Sequence, residues 1–296
     1  MQINQLITFL EVVKTGHFRE AARRLNLTQP AVSAQIRSLE ESLGSALFHR
    51  QPVSLTAAGK AFLPHARQMI ALAETGRRAV QDSQTTQRGS ITVGASSGAA
   101  LAVLPRMLRY FHGNQPDVRV SVHTLPASTI INGLHEGRLD AGILYGSLED
   151  TELVRQVLLY DRFVLITPYD HTLAIHSYLS MDELKTTPLI SLTPETPERQ
   201  LLNRLFSVKG IQPETAIELS SVEEVKRSVR LKLGIAIVPR LSLDDELDRD
   251  LRWIYLTGSD EQFPVVLLRP RDQHLSPTLH HFLEDIRGIY PSPWND

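Results

Sequence analysis

The stretch FREAARRLNLTQPAVSAQIRSLEESL, Phe18 to Leu43, decides how the first part of the chain folds. Phe18 to Leu25, rich in Ala and Arg, reads as a short helix. Asn26 stands at the turn that follows, where positive φ is needed and Asn is the next choice after Gly. Thr28 supplies an N-cap, and Pro30 lies just inside the first turn, where no interior N–H bond is lost. From about Gln29 to Ser42 another helix turns Val32, Ile36, Leu39 and Leu43 inward at i, i+4, i+7 and i+11. Its outer face carries Gln29, Ser33 and Arg37 at i, i+4 and i+8. These are donors and acceptors suited to base edges and phosphates, near the helix end that enters a major groove. A polar, solvated face on a small helical bundle is the bland alternative.

Upstream, Leu6, Phe9, Leu10 and Val13 share one helical face between Ile3 and Thr15, and Gly16 stops that helix. Charge supports a polyanion partner for this region. Residues 1–88 hold 11 Lys+Arg against 6 Asp+Glu, and the rest hold 20 against 27, so a net charge of -2 divides into +5 and -7. At 296 residues and 42% hydrophobic, the chain can bury two or three compact cores. No run of about 18 apolar residues predicts a membrane span. MQINQLITFLEVVKTGHF shows no export signal, so the expected location is cytoplasmic. Cysteine is absent, which excludes disulfides, thiol nucleophiles and Cys-ligated zinc. His280–His281 and the His171/His176 pair are expected to lack a carboxylate at ligand spacing, so neither metal nor cofactor is called for.

Downstream, residues 56–87 contain no Gly-Pro cluster and read as one long helix, with Pro64 near its start. Phe62, Ala66, Met69, Ala73, Gly76 and Val80 follow a 4-3-4-3-4 spacing, a coiled-coil seam that could equally pack on its own domain. TTQRGS, 85–90, reads as a hinge. After Gly89, strands such as ITVGA, VRVSVHT and LDAGILY alternate with helical segments, which predicts a parallel sheet with crossover helices. A second series starts at FVLITP, so two α/β halves should enclose a cleft. YDRFVLITP and EQFPVVLLRP, near 160–168 and 261–270, are the expected crossing strands.

GASSG, Gly94 to Gly98, ends the first of these strands and matches the G-x-S-x-G turn of serine hydrolases. A nucleophile elbow needs a sheet already built beneath it, and here the preceding segment is almost wholly helical. A binding turn is the better reading. Ser96 and Ser97 then line the cleft, with Ser128, Thr129, Thr193, Thr196 and Ser221 opposite. For each hydroxyl a plain helix cap is the alternative, and Ser221 with Glu224 has the form of a capping box.

FREAARRLNLTQPAVSAQIRSLEESLGSALFHR, continuing to LTAAG at Leu55 to Gly59, resembles the LysR-type transcriptional regulators. The A-A-x-x-L turn, the T-Q-P-A-V-S start of the recognition helix, the L-E-x-x-L-G-x-x-L-F-x-R run and L-T-x-A-G occur in order. L-x-x-G-x-L-D at Leu134 to Asp140 and G-I-A-I-V-P at Gly234 to Pro239 extend the resemblance over nearly the whole chain. It implies a winged helix-turn-helix at 1–60, a linker and dimerisation helix at 61–88, and an effector-binding domain at 89–296 like a type II periplasmic binding protein. Within that domain, subdomain I would cover about 89–161 and 268–296, and subdomain II about 162–267. Thr28, Gln29, Pro30, Ser33 and Arg37 would contact double-stranded DNA at an inverted repeat, with Arg50 at the wing. A small anionic metabolite would bind the cleft of a homodimer or homotetramer, with room for RNA polymerase as a further partner. The chain would not be an enzyme; effector-independent DNA binding is the alternative, and a transport binding protein would need an export signal and no basic head. Four departures stand out: Ala34 where the family usually has Arg or Lys, a short QPVS wing without a basic tip, Ala127 where the family commonly has a polar residue one place before Ser128, and Lys232 in place of the usual Gly before L-G-I-A.

Overall fold

The computed structural model describes residues 1–83, 89–146, 150–185, 187–258, 261–271 and 276–290. The chain divides into two units, one over the N-terminal residues and one over most of the remainder.

In the first unit, α1 (Ile3–Thr15), α2 (Phe18–Arg24) and α3 (Gln29–Leu43) are followed by an antiparallel hairpin of β1 (Phe48–Arg50) and β2 (Val53–Leu55), then α4 (Ala57–Ser83). Local chemistry sets the boundaries. Gly16 and Gly44 end α1 and α3 in the left-handed region, and Asn26 makes the predicted turn at φ +53°. The Thr28 hydroxyl accepts from the Ala31 amide and caps α3. Phe9, Val12, Val32, Ile36 and Leu39 are fully buried, and Phe9 packs on Phe48 and Phe62 at 5.3 and 5.4 Å between centroids.

Two expectations about this unit change. Leu43 is 38% exposed, because α3 runs one turn past the core before Gly44 caps it. The seam on α4 is also divided. Ala66 is buried in the core of its own unit, and Phe62 and Met69 pack against it. Farther along, Gly76 and Val80 are exposed, as is Leu72. The hinge residues 85–88 lie outside the described residues.

In the second unit the chain runs through β3 (Ser90–Ala95), α5 (Ser97–Asn114), β4 (Arg119–Thr124), α6 (Ala127–His135), β5 (Ala141–Tyr145) and β6 (Leu153–Asp161). It crosses into β7 (Phe163–Pro168), β8 (Tyr178–Ser180), β9 (Leu189–Leu192), α7 (Pro197–Lys209), β10 (Thr215–Leu219), α8 (Val222–Arg230), β11 (Ile235–Pro239) and β12 (Leu251–Thr257). It returns in β13 (Phe263–Pro270) and closes with α9 (Pro277–Ile289). One sheet has the order β4-β3-β5-β13-β6 and the other β10-β9-β11-β7-β12-β8.

The sheets, expected to be parallel with crossover helices, are parallel in part and mixed overall. β3 runs parallel to β4 and β5, and β9 parallel to β10 and β11, with helices supplying the crossover connections that parallel neighbours need. β13 is antiparallel to both β5 and β6, and β7 to both β11 and β12. The first crossing sits at Arg162, and on the return β12 of the second sheet ends at Thr257 and β13 of the first begins at Phe263. All of β13 therefore belongs to the first sheet, and the return falls before Phe263 rather than at 267/268. FPVVLLRP is apolar throughout, so its pattern does not say which sheet receives it. Lys232 takes φ +61° beyond α8, filling with a lysine the left-handed position that Gly usually holds. One apolar cluster, including Val93, Met107, Leu165, Ile237 and Phe282, runs through both sheets.

Candidate functional site

At the start of α3, Thr28, Gln29 and Pro30 are exposed, as is Arg37 about two turns on, and half-buried Ser33 accepts from Gln29 Nε2 at 3.1 Å. The buried Val32, Ile36 and Leu39 on the opposite face hold this turn outward. Ala34 is exposed on the same helix and offers no polar group. Arg50 is placed by its own unit. Its guanidinium donates to Glu40 Oε2 at 2.6 Å and lies 5.0 Å from the Phe18 ring centroid, leaving the side chain 45% exposed. Glu40 Oε1 accepts from the Leu47 and Phe48 amides at 2.8 and 3.2 Å, so one carboxylate fixes α3 to the hairpin. An open groove of about 720 Å3 beside α3 is lined by His17, Arg19, Arg23 and Gln29. The sequence reading missed Arg19 and Arg23, although their i, i+4 spacing on α2 puts two cations on one face.

In the second unit, β3 delivers the chain to the N-terminus of α5. Ser96 is 1% exposed and is held by its amide, which donates to Ile143 O at 2.9 Å. Its hydroxyl does not cap α5. It donates to Glu198 Oε1 at 2.7 Å, and the Gly98 amide donates to the same oxygen at 2.9 Å. Glu198 comes from the first turn of α7, the helix that follows β9 of the other sheet, and is itself 1% exposed. Its second oxygen, Oε2, is buried with no hydrogen-bond partner among the described residues. Burial pushes the Glu198 carboxyl above its ordinary value, while hydrogen bonds from its own amide, Ser96, Gly98 and Ala99 pull the other way. The neighbouring Ser97 hydroxyl accepts from the Val222 amide at 2.9 Å, at the start of α8. One turn of α5 thus meets the first turns of both α7 and α8.

Both glycines of GASSG serve close approaches. A Cβ on Gly98 would lie 2.9 Å from Glu198 Oε1 and 3.0 Å from Tyr145 Cε2, and one on Gly94 would lie 2.7 Å from Leu139 Cδ1. Beside this turn, the Tyr145 hydroxyl donates to Asp161 Oδ2 at 2.6 Å, and Asp161 also accepts from the Arg162 and Leu241 amides. Burial raises both groups, Tyr145 well above its ordinary value and Asp161 less so. A second concavity, of about 350 Å3, lies on α7 near the strand crossings and is lined by Gly146, Phe163, Leu201, Arg204 and Glu261.

The other expected cleft residues divide between caps and an open edge. Thr196 caps α7, accepting from the Arg199 amide at 3.4 Å and donating to Thr193 O at 2.8 Å. Ser221 and Glu224 form the expected reciprocal capping box on α8. Ser128 is exposed and Thr129 half-buried in the first turn of α6, at the sheet end that also carries α5's N-terminus. Sequence reasoning missed Glu198, Tyr145 and Asp161. In T-P-E-R the acid reads as an ordinary first-turn residue favoured by the helix dipole, and nothing local indicates that it is buried. His171 Nδ1 accepts from the Leu173 amide as a cap. The expectation for His280–His281 needs correction: Glu284 Oε2 lies 3.5 and 3.6 Å from their Nδ1 atoms, one turn on, with all three side chains exposed.

The sequence matches two family models: the bacterial regulatory helix-turn-helix protein of the lysR family over residues 3–60, and the LysR substrate binding domain over residues 84–289. A probable RuBisCO transcriptional regulator of Cyanidioschyzon merolae is 31% identical over 84% of this chain and 85% of its own length. The transcriptional regulator AlsR of Bacillus subtilis is 27% identical over 90% and 93%. Among solved structures, full-length CbnR complexed with its target DNA matches with a TM-score of 0.60 at 23% identity, over 98% of this chain and all of that one. A full-length OxyR variant from Pseudomonas aeruginosa matches with a TM-score of 0.64 at 20% identity, over 97% and 95%. No helix among the described residues is long and apolar enough to cross a membrane.

Proposed function

The chain belongs to the LysR family of transcriptional regulators, and from that premise we propose that it binds an interrupted inverted-repeat operator as a dimer or tetramer and changes promoter activity when a small metabolite, of anionic character, enters the cleft at the α5 N-terminus. The family is one of DNA-binding regulators rather than enzymes, so GASSG is a binding turn and not a nucleophile elbow. The reading places the protein in the cytoplasm, with contact to RNA polymerase following from promoter control.

The exposed first turn of α3 carries the DNA part of the reading. Thr28, Gln29 and Pro30 are exposed at the helix end suited to a major groove, with Ser33 behind them and Arg37 exposed about two turns along the helix. Arg50, drawn onto Glu40, would meet phosphate with the part of its guanidinium left open. In the cleft, Ser96 and Ser97 are the binding hydroxyls, Ser128 and Thr129 line its open edge, and Thr196 and Ser221 shape the opposite wall through the helices they cap, with Thr193 O holding the Thr196 hydroxyl. A ligand that prefers one arrangement of the subdomains shifts the preferred arrangement of the heads.

The test incubates the full-length protein with sheared DNA of its source and sequences what is retained at moderate salt. Enrichment of a few intergenic sites sharing an inverted repeat is expected. Retention without sequence preference that disappears as salt rises would leave phosphate contacts alone. Effector-independent binding is the second reading, and the carboxylate already seated at the α5 N-terminus favours it. It predicts that no metabolite alters operator retention.

A further inference from the structure

The N-terminus of α5 is an anion seat by construction. It heads an 18-residue helix, with the Gly98 amide and the Ser96 hydroxyl aimed at one point. The negative group at that point is part of the chain. Glu198 is about a hundred residues away in sequence and reaches the seat from the opposite subdomain, so it is no local cap.

Three features set it apart from a permanent structural pair. First, Ser96 occupies the N-cap position yet turns its hydroxyl toward Glu198 instead of capping its own helix. Second, Glu198 Oε2 is buried and has no partner among the described residues, so the seat satisfies only half of this carboxylate. Third, Gly98 leaves the space into which the carboxylate fits, and a Cβ there would meet Oε1 at 2.9 Å. A free ligand could satisfy both oxygens by choosing its own angle, whereas a side chain tethered to α7 cannot.

We propose that Glu198 is a tethered occupant of the cleft's anion seat, and that the seat takes a small carboxylate ligand that displaces it from the Ser96 and Gly98 donors. This deepens the reading of the cleft as the effector site and rests on it. The displaced side chain belongs to α7, so ligand entry removes the hydrogen bonds that tie α5 to that helix. The Ser97–Val222 hydrogen bond to α8 and the packing of Leu101 stay in place.

The test uses full-length Glu198→Ala with acetate and propionate as probes, against chloride at equal ionic strength. Truncation vacates about the volume of a short carboxylate. Acetate or propionate should therefore raise the melting temperature of the variant saturably, with no comparable effect on the wild type at the same concentrations. Should the alanine variant not fold, Glu198→Gln keeps the shape and removes the competing charge. Its half-saturating propionate concentration should then be roughly tenfold below that of the wild type, the scale of a charge at a partly buried helix terminus. A carboxylate effect no larger than that of chloride on the alanine variant, or equal half-saturation for Gln and wild type, would overturn the proposal. Operator retention in the same samples separates it from the reading it rests on. Carboxylate bound in the seat with retention unchanged keeps the occupant and removes the effector role. Retention that responds to a metabolite in the wild type, with no carboxylate bound by the variants, does the reverse.

Discussion

Glu198 holds a titratable carboxyl where solvent does not reach, and that has a measurable sign. Its carboxyl is raised above the ordinary glutamate value by burial, so the folded state favours the protonated form. Such a group contributes stability that is complete below the ordinary value and is lost as pH rises through the raised one. Glu198→Gln has no such loss. The melting temperature of the Gln variant minus that of the wild type should therefore widen as pH climbs from about 4 toward neutrality. A constant difference across that range would contradict the assignment. Asp161 is raised by the same cause but is present in both proteins, so it cancels. Gly98 gives a second prediction at this scale. Gly98→Ala forces a Cβ against Glu198 and Tyr145, at a cost of about 1–3 kcal/mol as overpacking. In a Glu198→Ala background the cost should shrink, and thermal or denaturant unfolding of the four proteins reads that coupling.

At the scale of elements, the hairpin of the head depends on α3 through one side chain. Glu40→Ala leaves the Leu47 and Phe48 amides without their acceptor and releases Arg50, which should cost the head about 1–3 kcal/mol by denaturant unfolding. Arg37→Ala should instead leave stability unchanged and weaken operator binding, lowering the salt slope by about 1 if its partner is a phosphate. The helices were legible for reasons that remain visible in the structure. Thr28 and Gly16 are caps, and Val32, Ile36 and Leu39 keep a helical period against a single core. β6 and the sheet membership of β13 were not legible. LVRQVLLYD alternates imperfectly, and β13's antiparallel partners, β5 and β6, lie more than a hundred residues upstream. The Ser96–Glu198 pair escaped for the same reason. Each residue has an ordinary local explanation, as binding turn and first-turn acid, and only the tertiary fold brings them together.

At the scale of the whole molecule, pairing of two heads is the step that would turn a modest single contact into operator binding. Ala34 and the wing without a basic tip each withhold one contact from a single head, so under the proposed reading pairing would supply the remaining affinity. Leu72 is 66% exposed on α4, one turn before Gly76 and two before Val80. Leu72→Glu should lower the mass seen by sedimentation and weaken operator retention by on the order of 10² while the melting temperature of the head holds. Unchanged mass and affinity would move the pairing surface elsewhere.

The placement of Phe62, Ala66 and Met69 also makes α4 a keyed shaft. A helix advances about 100° per residue, so even a one-residue slip would pull Phe62 off Phe9 and open the centre of the head. Torque applied along α4 is therefore delivered to Phe9 and Phe48, and through them to α3, without a swivel to absorb it. Head and shaft form one lever arm, geared to α3 at a fixed ratio.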